Sequence, residues 1–135
     1  ATITIDYAQP SMRGRKIVGA LIPYDKVWRT GANAATTLKT TAALDFGGTL
    51  VPAGTYTLYT LPGEKGWKLI LNKQTGQWGT QYDQAQDLAR VDLTVTATSA
   101  QVEQFTIALA GTGGPAGLLT MEWENTKLTV PFTVK

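Results

Sequence analysis

TYTLYTLPGEKGWKLILN, residues 55–72, is the stretch on which the fold turns. Thr55–Leu61 and Trp67–Asn72 are two short runs of Thr, Tyr, Leu, Ile and Trp, the residue types that suit a pleated, half-buried backbone. Between them Pro62–Gly63–Glu64–Lys65–Gly66 supplies Gly and Pro where a chain must reverse. Two β-runs joined by a Gly-containing loop read as a hairpin. Just before it, Pro52–Ala53–Gly54 makes a turn that launches Thr55, and Tyr56 and Leu58 fall on one face.

The same grammar extends outward in both directions. Ile3, Ile5 and Tyr7 alternate with Thr2, Thr4 and Asp6, a period of two that predicts a strand stopped by Pro10. Thr37–Leu44 alternates again and ends at the Gly47–Gly48 turn. Leu88–Val95 and Val102–Ala110 are two further strands. Gly111–Gly117 is a Gly/Pro turn, and Leu118–Glu124 with Lys127–Val134 reads as a closing hairpin around Asn125–Thr126. Pro131 within the last run predicts an edge strand, because proline cannot donate to a ladder. Eight or nine strands with closely spaced turn signals predict an all-β, antiparallel β-sandwich of jelly-roll type. The 135 residues fit one domain, 1–135, without an internal repeat or a linker.

Composition removes several kinds of chemistry. The chain has no cysteine and no histidine. Structural disulfides, thiolate metal sites, cysteine nucleophiles, histidine zinc ligands and a Ser-His-Asp triad are therefore absent from this sequence. No metal site or cofactor is expected. The net charge of +2 comes from scattered basic residues with one small cluster at Arg13, Arg15 and Lys16. That is too weak a footprint for tracking a phosphate backbone, so no nucleic-acid partner is expected. No run approaches the ~20 apolar residues of a membrane helix. Without a heptad or an exposed apolar run, the chain is expected to be a monomer.

One segment breaks the β grammar. Gly14–Asn33, GRKIVGALIPYDKVWRTGAN, holds Arg15, Tyr24, Trp28, Arg29 and Asn33 among Gly14, Gly19, Pro23 and Gly31, which interrupt any long helix. Ordering a long irregular segment costs conformational entropy, so such segments are where sites are sought. Trp offers a flat apolar face, Arg a planar fork of donors, and Asn both a donor and an acceptor. The competing reading is a plug, in which Trp28 fills one end of the sandwich and Arg29 and Asn33 tie loop carbonyls. A second irregular region, Asn72–Leu88, carries Trp78 and Tyr82, an aromatic pair able to stack on a sugar ring or to cap the core. Glu122 and Glu124 flank Trp123 on one strand face, where paired carboxylates either do acid–base work or face water.

Taken in order, Tyr7-x-x-Pro10-Ser11, Gly14-Arg15-x-Ile17-x-Gly19, Pro23-Tyr24, Val27-Trp28-Arg29-Thr30-Gly31-Ala32-Asn33, Pro52-Ala53-Gly54-Thr55-Tyr56 and Glu122-Trp123-Glu124 resemble the bacterial domain of unknown function 2911 family. The resemblance spans nearly the whole chain, and Trp-Arg-Thr-Gly-Ala-Asn is its specific part. It implies a bacterial, exported all-β domain, periplasmic or secreted, whose signal peptide is not in this chain. It implies no reaction and carries over no catalytic residue.

Three functional expectations follow. The first is a non-catalytic binding module with a polar-aromatic pocket for a small anionic or sugar-like ligand, lined by Arg15, Tyr24, Trp28, Arg29 and Asn33 with Trp78 and Tyr82 opposite. The second is a structural or protein-interaction domain working through a strand edge. The third is a histidine-independent hydrolase or lyase using Glu122, Glu124, Asp83 or Tyr24.

Overall fold

In the computed structural model, residues 2–31, 36–64, 66–73 and 84–135 are described. They form eight strands: β1 (Ile3–Asp6), β2 (Thr36–Thr40), β3 (Leu44–Phe46), β4 (Thr49–Val51), β5 (Gly54–Leu61), β6 (Trp67–Asn72), β7 (Asp87–Gly113) and β8 (Ala116–Val134). The strands make one antiparallel sheet in the order β1-β2-β5-β6-β7-β8-β3-β4, which does not close into a barrel. The only helical element among the described residues is a short 3-10 turn at Gln84–Gln86.

The two layers of the expected sandwich are supplied by this one continuous sheet. β7 makes the transition. Its first part, through Leu93, pairs with β6, and from Thr94 onward it pairs with β8. Leu38, Leu58, Leu69 and Leu71 from the β2-β5-β6 side then share one core with Leu44, Phe46, Leu119, Met121 and Phe132 from the β8-β3 side. Burial of these apolar faces is the main favourable term. β5 is buried on both faces, since Thr57 and Tyr59 are fully covered as well as Tyr56 and Leu58.

The hairpin at 55–72 forms as its sequence predicts, with Leu61 opposite Lys68 and Thr57 opposite Asn72. Its preceding turn is tied by the Tyr56 hydroxyl, which donates to the Pro52 carbonyl at 2.7 Å. Burial raises the Tyr56 pKa, so the phenol remains a donor. Gly47–Gly48 links β3 to β4 with Phe46 opposite Thr49, and φ is +63° and +101° at the two glycines. That is the two-residue turn matching strand twist, which glycine adopts without a Cβ penalty.

Five expectations need correction. Leu88–Val95 and Val102–Ala110 are not two strands but parts of one, β7, and the turn expected over Gly111–Gly117 is confined to Gly114–Pro115. The run Thr37–Leu44 is split, because Thr41–Ala43 leaves the ladder between β2 and β3. Asn125–Thr126 is no hairpin. Glu124 pairs with Val102 and Thr126 with Ala97, so β8 keeps its direction while β7 carries the surplus residues as a bulge. Glu124 absorbs the bend at φ +56°. Pro131 does not mark an edge, because β8 lies between β7 and β3 in the sheet. It falls where β8 changes partner, after Thr129 pairs with Thr94 and before Thr133 pairs with Asp45, so no ladder bond is lost there.

Candidate functional site

The irregular segment is laid across the open side of β7 and then beside β5. Ser11 bridges Gln104, Met12 N–H donates to the Glu103 carbonyl at 2.9 Å, and Phe105 N–H donates to the Pro10 carbonyl at 3.0 Å. These contacts fall where β7 is out of register with β8, so the segment satisfies main-chain groups that the bulge would otherwise strand. Further along, Trp28 exchanges N–H···O bonds with Thr60 in both directions, at 2.8 and 3.0 Å. β2 pairs with β5 only as far as Leu58, and Trp28 takes the next place in that lane.

Two carboxylates hold the segment between these anchors. Glu124 accepts from Ile17 N–H at 3.1 Å and Val18 N–H at 3.0 Å, one on each oxygen. Glu103 accepts from Arg13 N–H at 3.1 Å. Glu124 thus has a positional task, which accounts for its left-handed backbone, a conformation that costs a non-glycine residue about 1 kcal/mol or more. Glu124→Gln should lower stability by about 1–3 kcal/mol, since an amide offers one acceptor and turns a donor toward the second N–H. Denaturant melts measure the loss, and faster amide exchange at Ile17 and Val18 would localise it.

The sequence-predicted site residues have separate duties. Arg15 is bound to main chain, with Nε donating to the Met12 carbonyl at 2.8 Å and Nη2 to the Ser11 carbonyl at 2.7 Å. Tyr24 lies half-buried against Gly19, where an added Cβ would stand 3.1 Å from the Tyr24 ring. Trp28 packs edge-on to Phe105, with ring centroids 4.8 Å apart, and stacks on Trp123 at 5.9 Å. The space left beside it, among Val18, Ile22, Trp67 and Glu122, is about 10 Å³. That holds one water at most. Arg29 is half-buried, its Nε 3.4 Å from the Gly31 carbonyl, and its terminal nitrogens have no partner among the described residues. Asn33, Trp78, Tyr82 and Asp83 lie outside the described residues.

Within Trp-Arg-Thr-Gly, three of the four positions are packing devices. Thr30 is fully buried at φ +58°, its hydroxyl 3.3 Å from both the Trp28 carbonyl and the Thr60 hydroxyl. Gly31 is buried where a Cβ would stand 2.9 Å from Thr36 Oγ1. Only Arg29 presents unused donors. Glu122 and Glu124 do not form a working pair, since the Glu124 oxygens are committed to main-chain N–H groups. Among the described residues no three Asp or Glu side chains gather as a metal-binding group.

Two features escaped the sequence reading. The first is a hollow of about 330 Å³ at the β3–β4 hairpin, lined by Phe46, Thr49, Lys68, Arg90 and Asp92, with Lys68 paired to Asp92 at 2.9 Å. The second is an unpaired margin of the sheet. Residues 106–113 of β7 pair with β8 on one side, and no strand among the described residues pairs with them on the other. The stretch 106–113 contains neither charge nor proline, the usual guards of an exposed edge. That composition was its only sequence signal.

A family model described as a protein of unknown function, DUF2911, matches residues 1–132. No curated protein and no solved structure matches the chain.

Proposed function

We propose, for a chain that belongs to the DUF2911 family of unknown function, a non-catalytic binding module of the bacterial envelope that captures extended polypeptide along a sheet edge. The observation that carries this reading is the uncharged, proline-free margin of β7 over residues 106–113, which has no strand partner on its outer side among the described residues. Free N–H and C=O groups at strand spacing are a template for another strand. Among the described residues, the space beside Trp28 is too small for a sugar or a carboxylate ligand, which supports the same choice.

A second reading rests on Arg29. Its terminal nitrogens have no partner among the described residues, at a half-buried position beside the buried, left-handed Thr30. A guanidinium so placed suits a carboxylate, phosphate or sugar hydroxyl arriving from the surface.

Calorimetric titration separates the two. The native chain should bind an uncharged alternating Val–Thr peptide and show no heat with a panel of carboxylates, phosphates and oligosaccharides. Binding to the panel alone, abolished by Arg29→Lys, would replace the first reading with the second.

A further inference from the structure

The free margin of β7 does not stand alone. One end of the strand order is β1, whose outer side also has no strand partner among the described residues. The chain leaving β1 crosses directly to β7, where the Tyr7 hydroxyl accepts from Ile107 N–H at 3.0 Å and lies 3.5 Å from the Ile107 carbonyl. Beyond that bridge the two strands are not paired with one another. Ile3 of β1 and Leu109 of β7 nevertheless line the same small internal space, together with Leu38, Leu119 and Phe132. The sheet therefore has an unpaired seam, pinned at one end by Tyr7.

Both flanks of the seam offer main-chain groups. Thr41 N–H donates to the Thr2 carbonyl at 3.0 Å. The alternation of an antiparallel ladder then turns the N–H and C=O groups of Ile3 and Ile5 away from β2. On β7, Ile107 directs its N–H at Tyr7 rather than at β8, so Leu109 and Gly111, next in phase, direct theirs outward too. The side chains are incompletely covered as well. Ile107 and Leu109 sit opposite Met121 and Leu119, which are buried, yet Ile107 is half-buried and Leu109 is 38% exposed. Ile3 and Ile5 are also half-buried.

We infer that the seam between β1 and residues 106–113 of β7 is the binding site, and that its occupant is an extended, uncharged polypeptide segment with an apolar residue at every second position. The inference rests on the edge-capture reading above and names its place. A strand there would hydrogen-bond to both flanks, and its inward side chains would cover Ile3, Ile5 and Leu109. Alternating apolar residues are required because only every second side chain faces the core. Charge is disfavoured because the interior half of the seam offers no partner to a buried ion.

Amide hydrogen exchange of the native chain, with and without a Val–Thr alternating peptide of about eight residues, tests the assignment. Protection is expected at Ile3, Ile5, Leu109 and Gly111. Protection confined to the other short edge, Thr49–Val51, would overturn the seam while leaving edge capture standing. No protection anywhere would overturn both. Leu109→Lys should weaken the peptide by about tenfold or more, because it sets an unpaired ammonium in the seam. Ser99→Lys, on the exposed bulge of β7 outside the seam, should bind like the native chain. Both variants should melt like the native protein, and equal affinity in all three would also overturn the assignment.

Discussion

Phe105→Ala is expected to destabilise the protein by about 3–5 kcal/mol, the usual cost of removing a buried aromatic side chain. Phe105 is 1% exposed and touches three other rings. Trp28 lies at 4.8 Å, Tyr7 at 5.8 Å and Trp123 at 5.9 Å, measured between ring centroids. It stands on β7 within the register shift between Val102 and Thr106, and its N–H also anchors Pro10. The variant would remove the common contact of the sheet, the irregular segment and the Tyr7 bridge. Urea melts give the loss. A change under about 0.5 kcal/mol, the range of an ordinary surface substitution, would show that the aromatic cluster is not what holds the segment down.

Gly31→Ala should cost about 1–3 kcal/mol through overpacking. The new methyl would stand 2.9 Å from Thr36 Oγ1 and 3.3 Å from the Ala8 carbonyl. The threonine cannot rotate away freely, since its hydroxyl donates to the buried Thr30 carbonyl at 2.7 Å. Relief therefore means breaking that bond or displacing the chain after β1. A thermal melt measures it. An unchanged melting point would mean that the packing around Gly31 is looser than its distances imply, and would favour a ligand role for the whole string.

The parts of the fold that were legible in the sequence are those governed by local rules. Period-two alternation placed β1, and two-run composition with a Gly/Pro loop placed β5 and β6. Two glycines in succession placed the β3–β4 turn. The reading failed where a long-range partner decides the backbone. Asn125–Thr126 has the composition of a turn, yet the surplus length of β7 beside it is taken up as bulges and β8 passes straight through. Pro131 looks like an edge residue, but the strand changes neighbours at that point. The candidate site divides in the same way. The segment rich in Arg and Trp was conspicuous, and donor counting flagged Arg15 and Arg29 equally. Nothing local distinguishes Arg15, which folds back on the Ser11 and Met12 carbonyls, from Arg29, which does not. Glu124 binds main chain more than a hundred residues away in sequence, and Tyr7 reaches Ile107 at the seam across one hundred. No periodicity announces such ties. The free margin at 106–113 was legible only as missing charge, because whether an edge is covered depends on the neighbours the fold supplies.

On the proposed reading the irregular segment is a structural strap, and the working surface is the unpaired seam it leaves behind. A crystal structure of the chain with the alternating Val–Thr peptide bound tests this most directly. It should show a ninth strand between β1 and β7, bonded to the main chain of Ile3 and Ile5 on one flank and of Leu109 and Gly111 on the other, with Trp28 and Phe105 unmoved. A peptide lying across Arg29, or β1 and β7 zipped to each other with the peptide excluded, would contradict it.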